Sequence, residues 1–176
     1  MKLYRFSPIT SETELVEAVR YLHAACHSLC FTTFGRYLPV RGIVGVFAHY
    51  PEEFVFLTSL REKLTDSNTN YKGKYFKLHK PIVVAEDGHV PGATYEFLYI
   101  RRVDPYRPQV GDVDFVLPPE EHESMKKKLN YDNFVDGARL FGRPEENIIE
   151  LWDPDVDAAA YVATMPMRDE LSLGRS

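Results

Sequence analysis

The chain carries one short pattern twice. The pattern Phe-x-x-x-Pro-Glu-Glu begins at Phe47 and again at Phe115, so its two copies lie 68 residues apart. In both copies an apolar run leads into a proline and two glutamates, which is typical of the first turn of a helix. Segments rich in β-branched and aromatic residues follow each copy. The duplication therefore predicts an α+β fold in which two repeated βαβββ-like modules form a curved mixed sheet around a shared cleft, with an extra N-terminal helix.

The same pattern predicts the order of elements within one compact domain. We expect an N-terminal helical extension over 1–40, modules over 41–103 and 110–165, and a polar tail over 166–176 that frays. The extension should form a helix from Ser11, with Glu14 completing a capping box, to about Leu29. The predicted strands are 41–49, 74–87, 93–103, 110–117, 137–144, 147–155 and 158–166, and the predicted module helices are 51–64 and 119–129. A polar loop of Asp66, Ser67, Asn68 and Asn70 should follow the first of these helices.

Composition limits the classes of partner. With 44% hydrophobic and 27% charged residues over 176 positions, the chain can bury an ordinary core. A net charge of -5 without a long basic run argues against nucleic acid as a partner. Charges interrupt every apolar stretch before the roughly 20 residues that span a bilayer, so we expect no membrane association and a cytoplasmic location. A homodimer is compatible with this composition.

Two carboxylates alternate along one predicted strand. Asp112 and Asp114 are separated by Val113 and must point to the same side. If Phe115 packs into the core, both carboxylates face the cleft, where two like charges raise a pKa and favour general acid-base chemistry. The alternative is a solvated pair, or one matched by arginines such as Arg101.

An aromatic and basic segment is the second candidate for the site. Tyr99 and Arg101, with Arg107 just beyond them, suit an anionic or aromatic small-molecule ligand, because arginine binds carboxylates bidentately and tyrosine offers a stacking face. Aromatic residues on strands are also common in cores. Glu150 alternates with Ile149 and Leu151 and either faces the same cleft or faces water.

The repeated order of strand, helix and further strands resembles the vicinal oxygen chelate superfamily of glyoxalases, extradiol dioxygenases and bleomycin-resistance proteins. The stretch IIELWDPDVDAAAYV, with its Asp-Pro-Asp turn, is also similar to that family. The resemblance covers about residues 41–165. It implies a divalent metal in a cup between the modules, and here the ligands would be His49, Glu96 and Asp112. The family's usual histidines fall at positions without histidine in this chain, which leaves an oxygen-rich set.

Two functions are expected from these features. The first is a small-molecule-binding protein of the glyoxalase or bleomycin-resistance type, whose catalytic form would be a metal-dependent lyase or isomerase using Asp112, Asp114 and Glu96. The second is a non-catalytic protein-interaction or regulatory module that uses the acidic surface and the first helix. The sequence leaves both open, and with them the question of whether the chain is an enzyme.

Overall fold

The computed structural model describes residues 3–67 and 73–174, which form four α-helices and one seven-stranded sheet. The helices are α1 (Glu12–Phe34), α2 (Pro51–Leu64), α3 (Pro119–Lys126) and α4 (Met167–Leu173). The strands are β1 (Val40–Phe47), β2 (Phe76–Val84), β3 (Ala93–Arg101), β4 (Gly111–Val116), β5 (Ala138–Phe141), β6 (Ile148–Leu151) and β7 (Ala159–Ala163). Asn68 and Asn70 of the predicted polar loop lie outside the described residues.

The order of the strands shows two equivalent halves. The sheet runs β2-β3-β1-β4-β7-β6-β5, and the two halves meet where β1 pairs antiparallel with β4. In each half the first strand pairs in parallel with the last one, β1 with β3 and β4 with β7. The last strand then pairs antiparallel with the strand before it. The predicted α+β fold with a curved mixed sheet is confirmed, although the first half has two strands after its helix and the second has three.

The two faces of the sheet have different coverings. Strand residues such as Val44, Val113 and Ile149 belong to the main core, which also contains the buried stripe of α1. On the opposite face Ile43 and Phe97 form a second apolar cluster with residues of α4. Because side chains alternate along a strand, each strand contributes to both layers.

The repeated pattern keeps the helix starts in register but not the faces of the strands. Phe115 lies in the main core, with its ring against His27 of α1. Phe47 lies on the other face, where the guanidinium of Arg101 is 5.0 Å from its ring centre. Three residues separate β1 from Pro51 whereas two separate β4 from Pro119. No residue is inserted, because the phenylalanine precedes the proline by four positions in both copies; β4 continues one residue beyond Phe115, whereas β1 ends at Phe47.

The predicted end of the first helix and the predicted tail of the chain differ from the structure. Helix α1 continues five residues beyond Leu29, to Phe34, and ends at Gly35 in the left-handed conformation. The tail was expected to fray, but residues 167–173 form α4, and Met167 and Leu171 are buried. Burial of these two apolar side chains on the sheet outweighs the polar composition around them. Within the described ranges, no helix has the length and apolar character needed to cross a membrane.

Glu53 of the first Pro-Glu-Glu motif holds the N-terminal segment on the domain. Its side chain is 2% exposed, and its two oxygens accept the backbone N–H groups of Ile9 and His49, both at 2.8 Å. The equivalent Glu121 instead forms a half-exposed ion pair with Arg36 at 2.7 Å. The same sequence position thus has a buried structural role in one half and a surface role in the other.

We predict that Glu53→Ala lowers the free energy of unfolding by about 2–4 kcal/mol, because two buried N–H donors lose their acceptor. The matched change Glu121→Ala should cost at most about 1 kcal/mol, as expected for an exposed pair. Urea unfolding of both variants measures the difference. Equal losses would show that the carboxylate of Glu53 does not anchor the segment.

Candidate ligand-binding site

A cavity of about 740 Å³ lies on the sheet face opposite α1. This volume is within the range of small-molecule sites. Four strands of the second half and two of the first contribute to it, together with α4 and the segment before β2. Its lining consists of Ile43, Lys74, Tyr75, Tyr99, Arg101, Asp112, Asp114, Phe141, Arg143, Glu145, Glu146, Ile148, Tyr161 and Glu170.

Asp112 lies where the sheet has its smallest side chains. Across the sheet its direct neighbours are Gly45 on β1 and Ala159 on β7. A Cβ atom at Gly45 would approach the carboxylate carbon of Asp112 to 2.9 Å, which is closer than side chains tolerate. The missing side chain of Gly45 therefore makes room for the carboxylate, as expected where a glycine interrupts a strand.

A buried guanidinium neutralises the second carboxylate. Arg41 is 4% exposed and binds Asp114 at 3.2 Å, while its other nitrogen atoms bind Glu170 of α4 and the carbonyl oxygen of Met165. The expected alternatives, a solvated pair or one matched by Arg101, Arg102 or Arg107, are therefore not what the structure shows. Asp112 has no ion-pair partner among residues 3–67 and 73–174.

Burial changes the protonation of both carboxyl groups. Loss of hydration raises the pKa of Asp112 well above its usual range, and the nearby charge of Asp114 raises it further. Loss of hydration also raises the pKa of Asp114, although the Arg41 guanidinium opposes this effect. Asp112 therefore keeps a proton to higher pH than an exposed aspartate does.

Aromatic side chains form much of the remaining wall. The rings of Tyr75 and Tyr99 meet edge to face at 6.0 Å, and those of Phe141 and Tyr161 meet at 4.9 Å. Burial raises the pKa of Tyr161, so its hydroxyl stays protonated. That hydroxyl is buried and has no hydrogen-bond partner in the described structure. A buried hydroxyl without a partner is unusual in a folded protein, and because it can both donate and accept a hydrogen bond, it is a candidate contact for a ligand.

The structure brings together part of the predicted site. Asp112, Asp114, Tyr99 and Arg101 all line the cavity. Arg101 is already paired there with Asp104 at 3.1 Å. The sequence could not show this pairing, because the loop after β3 determines it.

Arg107 and Glu150 were also predicted to contact the ligand, but neither belongs to the cavity lining. Glu150 is 2% exposed and accepts from Arg107 at 2.8 Å and from Arg139 at 2.7 Å. Both carboxylate oxygens are thus occupied by the protein's own guanidinium groups. The expectation that Glu150 faces water is wrong, and its pairing stabilises the second half of the sheet.

The predicted metal ligands are not assembled. His49 binds Ser7 through Nδ1 at 2.6 Å and stacks on Tyr4, outside the cavity. Glu96 lies beside Gly42 and also does not line the cavity with Asp112. No group of three or more His, Cys, Asp or Glu side chains in the described part of the chain could hold a metal ion. The residues present therefore do not fit the divalent cation that the resemblance implied.

Several lining residues were missed by sequence reasoning. They are Arg41 behind the cavity and Tyr75, Phe141, Tyr161 and Glu170 in its wall. The sequence did contain one indication, because a glycine within an apolar strand, here Gly45, often marks a place where another group approaches the backbone closely. The partner that fills this position comes from β4, and the sequence alone does not show the pairing.

Comparisons with known proteins bear on the fold alone. No protein-family model and no curated protein matches the chain. One similar solved structure, the structural-genomics protein EC4020, has a TM-score of 0.54 and 15% sequence identity, and the match covers 98% of each chain. The whole architecture, including the N-terminal helix, therefore occurs in another protein.

We predict that Gly45→Ala destabilises the protein by about 1–3 kcal/mol, because the new methyl group overlaps the Asp112 carboxylate. The same change made in an Asp112→Ala background should cost clearly less. Denaturant unfolding of the two single variants and the double variant measures this coupling. Additive effects would contradict the close approach as the cause.

We also predict that Asp112 makes the protein less stable as pH rises. The folded protein keeps the Asp112 proton where the unfolded chain has lost it, so stability falls from about pH 4, the ordinary range of an aspartate, up to the raised folded pKa. Asp112→Asn should remove this loss, so its stability relative to the original protein should increase from about pH 4 up to the raised folded pKa and stay constant above it. Unfolding measured over a pH series tests this, with the exposed Asp87→Asn as control. Parallel stability curves for all three proteins would contradict the prediction.

Proposed function

We propose that the protein binds a small molecule in the cavity above Asp112. The observation that carries this proposal is the unpartnered hydroxyl of Tyr161 beside a carboxyl group without an ion pair, both facing a space of ligand size. Polar groups of this kind are costly to bury unless something binds them. A ligand that bonds to both groups would recover that cost.

The arrangement of the halves supports a relation to the glyoxalase and bleomycin-resistance type. Both halves follow the order of strand, helix and further strands, and their first strands pair in the centre of the sheet. The cavity lies over that junction. The proposed function is binding without a resident metal, because the lining lacks a suitable set of ligands.

Asp112 is the group through which a catalytic form of this protein would exchange a proton with its ligand. A carboxyl group whose pKa is raised by burial can donate a proton near neutral pH and accept it back. Asp114 is less suited to this task because it is paired with Arg41, whose charge opposes the rise of its pKa. A lyase or isomerase reaction would therefore depend on Asp112 more than on Asp114.

Filling the cavity tests the proposed function. A library of small neutral and charged fragments should contain compounds that raise the midpoint of thermal unfolding, because a ligand that binds the native state stabilises it. Ile148 lies in the lining, so Ile148→Trp should abolish these shifts by occupying the space.

The matched control is Val83→Trp, which adds the same ring to a strand position that is 68% exposed. It should leave the shifts unchanged. A library without any stabilising compound, or stabilising compounds that tolerate Ile148→Trp, would overturn the proposal. If the stabilising compounds tolerate Ile148→Trp and the chain is found to bind a protein partner, the alternative of an interaction module would be favoured.

A further inference from the structure

We infer that the cavity selects an organic cation with an aromatic or apolar body, whose ammonium group binds between Asp112 and the hydroxyl of Tyr161. This inference rests on the proposed function of the same cavity and names its ligand class. Three observations support it separately: the partners of the acidic side chains in the lining, the partners of the basic side chains, and the arrangement of the aromatic rings.

The charge balance of the wall leaves one carboxyl group for the ligand. The acidic side chains of the lining are Asp112, Asp114, Glu145, Glu146 and Glu170. Arg41 satisfies Asp114 and Glu170 together. Glu146 accepts the backbone N–H of Arg143 at 2.9 Å, and Glu145 lies 3.9 Å from the same residue's guanidinium. Asp112 accepts the backbone N–H of Gly45 and is the lining carboxyl group that has neither an ion pair nor a hydrogen bond to another side chain in the described structure.

The basic side chains of this region already have acidic or aromatic partners. Arg101 is paired with Asp104, and Glu150 takes both Arg107 and Arg139. An anionic ligand that binds Arg101 would have to displace Asp104, and one that binds Lys74 would have to draw its ammonium group away from the rings of Tyr75 and Tyr99. It would also approach Asp112 and Asp114. The anionic ligand expected from the sequence is therefore disfavoured by the arrangement of these charges.

The aromatic wall already accepts a cation. The ammonium nitrogen of Lys74 lies 5.1 Å from the ring centre of Tyr75 and 5.5 Å from that of Tyr99. These distances are typical of attraction between a cation and the negative face of an aromatic ring. Phe141 and Tyr161 supply a second aromatic pair on the other side of β4, and the guanidinium of Arg107 lies 5.4 Å from the ring centre of Phe141. A ligand cation at Asp112 would lie between the two pairs.

The neighbours of Asp112 across the sheet are small. They are Gly45 and Ala159, which leave room beside the carboxyl group for a compact ammonium group. Ile148 and Phe141 offer apolar surface for the rest of the ligand. A cation attached to an aromatic ring by a short chain would place its ammonium group at Asp112 and its ring on this apolar surface.

Three probes of the same size test this inference at neutral pH. They are phenethylamine as the cation, 2-phenylethanol as the neutral analogue and phenylacetate as the anion. We expect phenethylamine to bind at least about tenfold more tightly than the other two by calorimetry or ligand-observed NMR, with release of the proton that burial keeps on Asp112, because the ammonium group binds the ionised carboxylate. Asp112→Asn should reduce this preference to less than about threefold while leaving the affinity for 2-phenylethanol within about twofold.

Control variants separate the causes of failure. Asp87→Asn removes an exposed charge and should keep the preference, whereas Ile148→Trp should abolish binding of all three probes. If 2-phenylethanol or phenylacetate binds as tightly as phenethylamine and Ile148→Trp abolishes that binding, the cation is wrong but the binding function stands. If no probe binds while other library fragments bind in the cavity, the cation class is again overturned. If the library also yields no fragment that Ile148→Trp blocks, the proposed function itself fails.

Discussion

The guanidinium of Arg41 joins three parts of the chain that are far apart in sequence. It lies on β1, binds Asp114 of β4 and Glu170 of α4, and is almost fully buried. Removing it would leave the buried carboxylate of Asp114 without its counter-charge, which is strongly destabilising. Its ion pairs connect the two central strands and α4 at the cavity.

The cavity is the consequence of an asymmetry between two similar halves. In the first half the junction strand offers Gly45, and in the second it offers Asp112 at the paired position. The small residue leaves a gap into which the carboxylate fits. Burial then raises the pKa of that carboxyl group and leaves it without an ion pair. A stable sheet can tolerate such a group because the dense core lies on the other face.

The order of elements could be predicted from the sequence because local patterns determine it. Proline followed by two glutamates marked the starts of α2 and α3 at Pro51 and Pro119, and both starts are confirmed. The alternation around Val113 correctly placed Asp112 and Asp114 on one face. The start of α1 at Ser11 was predicted, but its C-terminal end and the helical order of α4 were not, because tertiary burial of apolar side chains decides whether such segments stay helical.

The sequence by itself determined the duplicated order of strands and helices and the fact that the two aspartates lie on one face. These properties follow from periodicity and composition, which are local. The tertiary structure alone decided that Arg41 pairs with Asp114, that Glu150 is closed off by two arginines and that Tyr161 faces a cavity beside Asp112. Such pairings depend on strand order and register, which bring together residues that no local pattern connects.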